Sequence, residues 1–135
     1  MHEPPLILTV DDDLQINLGM KIRIRSAGLQ SIDAGDGLEG IAVAIKQRPD
    51  VIVADIRMPK LDGLSMLREL KQHPDTASIP VIMVSANAAE LTRAEAKKYG
   101  AYCFLEKPYS SVSLLQAIQS ALASRDTGAL APATS

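Results

Sequence analysis

Several short apolar runs in this chain stop at residues able to do chemistry. Leu6-Ile7-Leu8-Thr9-Val10 ends at Asp11-Asp12-Asp13, and Val51-Ile52-Val53-Ala54 ends at Asp55. The run closing on Val84 ends at Ser85, and the run through Leu105 leads to Glu106-Lys107-Pro108. Taken singly, Asp55 is also what a turn or a cap would use, since Asp is a common turn residue. Taken together, these residues describe a site if their strand ends meet. Two carboxylates about 4 Å apart at an effective dielectric near 20 repel by roughly 4 kcal/mol, so several in one crevice call for a cation. All-oxygen ligands without His or Cys favour a hard ion such as Mg²⁺, completed by waters and a phosphate oxygen. Lys107 adds a point charge and Ser85 a hydroxyl, both suited to an incoming phosphoryl group. The chemistry is then in-line phosphoryl transfer to a carboxylate, with Asp55 as the nucleophile.

The elements that must position these residues follow from the pattern. The runs at 6–10, 51–54, 79–84 and 101–105 are short, partly β-branched and bounded by turn residues, as strands buried on both faces are. Residues 29–34 make a weaker strand. Between them, residues 38–47, 64–73, 88–99 and 111–123 carry apolar residues at helical spacing or helix-favouring Ala, Glu and Lys. Residues 14–27 are the awkward segment. Ile16, Leu18, Met20, Ile22 and Ile24 alternate like a strand, but a parallel crossover needs about a dozen residues, usually helical, and Ala27-Gly28 supplies a stop. A helix is expected there, with Asp13 as its cap rather than as a ligand. Five strands alternating with five helices require an α/β fold with a doubly wound, mostly parallel sheet, whose ligand crevice lies beyond the carboxyl ends of the strands.

At 135 residues the chain fits one domain with a sufficient core. A net charge of -2 with scattered Lys and Arg offers no footprint for direct nucleic-acid binding. The single cysteine, Cys103, lies in an apolar run and is expected to be a buried small hydrophobe in a reducing, cytoplasmic setting. No apolar run approaches the ~18 residues of a membrane span, and the start lacks a signal-peptide pattern, so neither membrane nor secretion is expected. Residues 125–135, rich in Ala, Thr, Pro and Ser, are expected to be a disordered tail or linker stub after a domain at 1–124. His2 and His73 are expected at the solvated surface, and the charges of 88–99 on a solvated face.

Val10-Asp11-Asp12-Asp13, Asp55-Ile56-Arg57-Met58-Pro59 with Asp62-Gly63, Val84-Ser85-Ala86, and Lys107-Pro108 resemble the receiver domain of two-component response regulators. The resemblance covers about residues 6–123, and its specificity lies in having all four pieces in order at strand ends. It implies a flavodoxin-like sheet of order 2-1-3-4-5. It further implies that Asp55 accepts a phosphoryl group from a histidine kinase or histidine phosphotransfer protein. Asp12, Asp55 and the Arg57 carbonyl would ligate Mg²⁺, with Asp11 helping through water. Ser85 and Lys107 would contact the phosphoryl oxygens, and Ser85 and Phe104 would form the switch, the aromatic turning inward to reshape the face of the fourth helix, fifth strand and fifth helix. Arg57 and Asn87 would tune phosphoryl lifetime, and the Lys107–Pro108 peptide would be cis, which X-Pro bonds allow cheaply. The output would pass to a downstream protein or a fused effector domain, and a homodimer formed on phosphorylation stays open. Gly19 and Arg23 depart from the apolar residues usual in the family's first helix, which often docks the phosphodonor.

Two other classes compete. A pseudo-receiver would keep the fold as a phosphorylation-independent interaction module; the full set Asp12, Asp55, Ser85 and Lys107 speaks against it. A haloacid-dehalogenase-like phosphatase also uses an Asp nucleophile and Mg²⁺, but needs an acid two residues further on, where Arg57 stands. A flavin-binding fold would need a phosphate-cradling loop after the first strand. The chain is therefore read as a signalling phosphoacceptor, catalysing only its own phosphorylation and dephosphorylation.

Overall fold

The computed structural model describes residues 2–58, 60–86 and 90–127. Pro59, Asn87 and the expected tail from residue 128 onward lie outside the described residues. The elements run β1 (Leu6–Val10), α1 (Leu14–Ser26), β2 (Gln30–Ala34), α2 (Gly37–Gln47), β3 (Val51–Asp55), α3 (Gly63–Gln72), β4 (Val81–Ser85), α4 (Glu90–Lys98), β5 (Cys103–Glu106) and α5 (Ser111–Thr127). All strand pairs are parallel, in the order β2-β1-β3-β4-β5, as the sequence and the resemblance led us to expect.

The apolar runs form strands because both of their faces are covered. Leu8, Val10, Ile52, Ala54, Val81, Met83 and Phe104 pack into a core on one side of the sheet. Their alternates Ile7, Val51, Val53, Ile82, Val84 and Cys103 pack on the other side with Ile24 of α1 and Leu114 and Ile118 of α5. Alternation along each strand therefore feeds two cores, and the sequence reads as unbroken hydrophobicity. Cys103 is the buried small hydrophobe expected, its thiol pushed up to about 11 by burial. β4 begins two residues later than the apolar run suggests, after Pro80, whose ring supplies no N–H to a ladder.

The segment that alternates like a strand is the helix α1. Its buried face is Asn17, Met20 and Ile24, at helical spacing. Leu14, Leu18 and Ile22 are left 74%, 50% and 57% exposed. Apolar residues lying on both faces of the helix produced the misleading period. Gly19 and Arg23 explain one another. A Cβ at Gly19 would lie 2.9 Å from the Arg23 guanidinium. The bare glycine leaves room for that group, and Arg23 Nε donates to Ser111 Oγ at 2.6 Å, tying α1 to the start of α5. His2 and His73 lie at the surface as expected, neither of them buried, with the His2 ring donating to the Gln47 carbonyl at 2.8 Å and His73 Nδ1 accepting from the Asp75 amide at 3.2 Å.

The carboxyl-terminal helix corrects the expected boundary. α5 continues to Thr127, so Arg125, assigned by composition to a tail, belongs to the folded body. Its guanidinium donates to the Pro49 carbonyl at 2.8 Å and lies 3.8 Å from Oδ1 of the fully buried Asp50. Asp50 Oδ2 in turn accepts from the Leu6 amide at 2.8 Å, so one buried carboxylate joins β1, β3 and α5. Arg125→Ala leaves that carboxylate without its cation. The variant is expected to lose about 1–3 kcal/mol in urea unfolding, whereas a residue in a true tail would be neutral.

Candidate functional site

Parallel register brings the chemistry-bearing residues to one edge. Val10 is level with Ala54, which sets Asp11 beside Asp55. Asp55 is level with Val84 and Ser85 with Glu106, so Ser85 and Lys107 follow on the neighbouring strands. The Lys107 amide donates to the Ser85 carbonyl at 2.8 Å, extending the ladder one step past β5. Gly63 allows the tight return that closes the site from below: an added Cβ would fall 2.3 Å from the Asp55 carbonyl oxygen. Only glycine fits so near a backbone.

Two of the acids are oriented in the same way. Asp55 Oδ1 accepts from the Arg57 amide at 3.1 Å, and Asp11 Oδ1 accepts from the Asp13 amide at 2.9 Å. These are Asx turns, in which a carboxylate bonds the backbone two residues on. The other oxygens face Lys107, whose Nζ lies 2.9 Å from Asp55 Oδ2 and 3.5 Å from Asp11 Oδ2. Asp12 is exposed at the rim, and the ligand atoms of Asp11, Asp12 and Asp55 all lie within 4.8 Å of one another. Asp13 is the helix cap it was expected to be, accepting from the Gln15 and Ile16 amides.

Burial and neighbouring charge act on the acids and the lysine in opposite senses. Burial first, and then the charge of Asp55, push the Asp11 carboxyl up to about 6, against the Asp13 amide and Lys107. Burial opposes the charge on Lys107, but its bond to Asp55 and the charges of Asp55 and Asp11 prevail and raise its pKa. Among the described residues, one ammonium thus pairs with two of the three clustered carboxylates. The donor set is all oxygen, with one acid exposed at the rim and two at the buried end of the sheet. These residues fit a hard divalent cation.

Ser85 is buried at the end of β4. Phe104 is buried against the core beside Met83, with the Arg93 guanidinium 4.9 Å over its ring. Arg57 is exposed, and Lys107–Pro108 is cis as the resemblance implied. Two grooves flank the acids. One, of about 670 Å³, includes Asp12, Arg57, Arg68 and Tyr99; the other, of about 570 Å³, runs beside Lys107 past Ile16, Gly19, Arg23 and Tyr109. Sequence reasoning missed Tyr109 and Asn17. Tyr109 directly follows Lys107-Pro108, and its hydroxyl is raised by burial, with Lys107 and Arg23 acting against the shift. Asn17 is a lone amide inside an apolar pattern and gives no sequence signal.

The profile of the response regulator receiver domain family matches residues 7–119. PilH of Pseudomonas aeruginosa is 35% identical over 117 residues, covering 87% of this chain and 97% of PilH. The transcriptional regulator DctD of the same organism is 35% identical over 116 residues, covering 86% of this chain and 25% of that protein. The receiver domain of the P. aeruginosa sensor histidine kinase PA1611, solved with a magnesium ion in its active-site cleft, superposes with a TM-score of 0.82 at 29% identity, covering 88% of this chain and 98% of that one. The chain belongs to the response regulator receiver domain family. It spans 25% to 51% of the length of the first two transcriptional regulators it resembles, and nearly all of PilH. No helix among the described residues is long and apolar enough to cross a membrane.

Proposed function

We propose that this receiver takes a phosphoryl group onto Asp55, with Mg²⁺ bound by Asp11, Asp12, Asp55 and the Arg57 carbonyl, from a histidine kinase or histidine phosphotransfer protein. The observation that carries the reading is the pairing of Lys107 Nζ with Asp55 Oδ2 at 2.9 Å inside a cluster of three acids. An oxygen of Asp55 attacks phosphorus, the bond to the donor nitrogen or oxygen breaks, and the leaving group keeps that electron pair. Lys107 stays beside the new acyl phosphate and offsets its charge, while the Ser85 hydroxyl donates to a phosphoryl oxygen. Bound Mg²⁺ would neutralise charge developing on the transferred group. Asp11 and Asp12 would hold that cation in place. The groove past Gly19 and Arg23 gives a macromolecular donor a surface next to Lys107.

The product differs from the free acid by roughly one negative charge and by new acceptor oxygens. That change is the signal, read through Ser85 and the packing of Phe104, and passed to a downstream protein, a fused effector domain or a second phosphorylated copy. The PilH-like span goes with a receiver acting alone, the DctD-like span with a fused regulator. A cytoplasmic setting suits both, as does the lone buried thiol.

Intact mass after incubation with acetyl phosphate tests the reading. A gain of one phosphoryl group only when Mg²⁺ is present is expected. No gain under either condition would favour the phosphorylation-independent module.

A further inference from the structure

We propose that Asn17 is a positioning residue that holds the Asp11–Asp12 turn in the geometry phosphoryl transfer requires; this rests on the reading of the site given above. Asn17 Nδ2 donates to the Asp11 carbonyl at 2.9 Å and to the Ala34 carbonyl at 3.0 Å. The Asp11 amide donates to the same Ala34 carbonyl at 3.2 Å. One side-chain amide therefore clamps the end of β1 to the end of β2 from within α1. With the Asp11 backbone fixed in this way, the Asp13 amide reaches Asp11 Oδ1 at 2.9 Å and Oδ2 is left facing Lys107. The metal-side acid is oriented from its backbone and its side chain together.

Packing alone does not account for an asparagine here. Asn17 shares the buried face of α1 with Met20 and Ile24 and is only 2% exposed. Its Oδ1 is buried with no protein hydrogen-bond partner. Asparagine is also a weak helix former, and a buried acceptor without a partner is costly. A leucine would suit the helix but would leave the buried Asp11 carbonyl without its side-chain donor. What the asparagine supplies is a pair of donors to two carbonyls, and one of them is the backbone of Asp11 in the acid cluster. Outer-shell partners of this kind typically cost ten- to a hundredfold in metal affinity when removed.

The test uses the full chain with Asn17→Leu, which removes both donors, and Asn17→Ser, which keeps one short hydroxyl donor. Mg²⁺ is titrated while backbone amide shifts are followed, and urea midpoints are measured alongside. Asn17→Leu is expected to weaken Mg²⁺ binding about tenfold or more in the folded protein, with Asn17→Ser between it and the native chain, and to lower the urea midpoint because the buried Asp11 carbonyl loses its side-chain donor. Without metal, the Asp13 amide proton, held downfield by Asp11 Oδ1, is expected to move upfield in both variants. Native Mg²⁺ affinity and an unmoved Asp13 signal in the folded variants would overturn the assignment. If Asn17→Leu does not fold, Asn17→Ser decides by the same two readouts. A native chain that binds no Mg²⁺ would contradict the metal reading of the site, while the Asp13 signal would still judge the role of Asn17.

Discussion

Replacing Lys107 with alanine is expected to separate metal binding from phosphoryl transfer. Its ammonium lies 2.9 Å from Asp55 and 3.5 Å from Asp11, the only cation bonded to the acid pair among the described residues. In the proposed transfer it stabilises charge that grows on the phosphoryl group, and removing one such preorganised donor commonly costs about 100-fold or more in rate. Mg²⁺ feels the opposite effect. Without the competing ammonium the three acids attract a divalent cation more strongly, so Mg²⁺ is expected to bind Lys107→Ala at least as tightly as the native chain. Phosphorylation by acetyl phosphate at saturating Mg²⁺ then falls about 100-fold with no loss of metal affinity. A parallel loss of both would show that Lys107 acts by holding the fold of the site and not on the transferred group.

Asp11→Asn is expected to make the metal-free protein more stable at pH 7. Burial, and then the charge of Asp55, raise the Asp11 carboxyl to about 6 from the 3.8 of the free side chain. The folded state therefore binds this proton more tightly than the unfolded state does. As pH rises from about 4 to 6 the unfolded chain loses the proton first, so stability falls across that window and the penalty persists above it. The isosteric amide carries no such penalty. Its thermal midpoint at pH 7 without Mg²⁺ is expected to rise by a few degrees, on the order of 1 kcal/mol, and the fall between pH 4 and 6 is expected to flatten. Native protein with saturating Mg²⁺ recovers the same stability above pH 6, because a cation that binds only the folded state stabilises it. Calorimetric scans at pH 4, 6 and 8 with and without Mg²⁺ check both statements. An unstabilised Asp11→Asn would mean that the acid is better solvated than its burial indicates.

Fold and site were legible to different depths, for physical reasons. β1, β3 and β4 could be read directly because burial on both faces leaves little room for polar residues, and the acids stand out where those runs stop. α1 was harder. Only Asn17, Met20 and Ile24 face the core, and the exposed Leu14, Leu18 and Ile22 obscure that face. Asp11, Asp12, Asp55, Ser85 and Lys107 follow from strand ends meeting at one edge, a consequence of topology. Arg125 did not, because its partners Pro49 and Asp50 lie just before β3, far away in sequence, and a local composition of small residues hides a contact that long-range packing creates. Asn17 was invisible for the same reason: the carbonyls it holds belong to Asp11 and to Ala34 on another strand.

The central claim is that Asp55 itself becomes an acyl phosphate. Chain phosphorylated by acetyl phosphate in Mg²⁺ is trapped with borohydride, which reduces an acyl phosphate to the alcohol, and the peptide spanning Val51 to Met58 is sequenced by mass spectrometry. Conversion of Asp55 to homoserine in the native chain, with no trapped product in Asp55→Asn, is the predicted result. An unreduced Asp55, with the phosphoryl group found on Ser85 or on another acid, would contradict it.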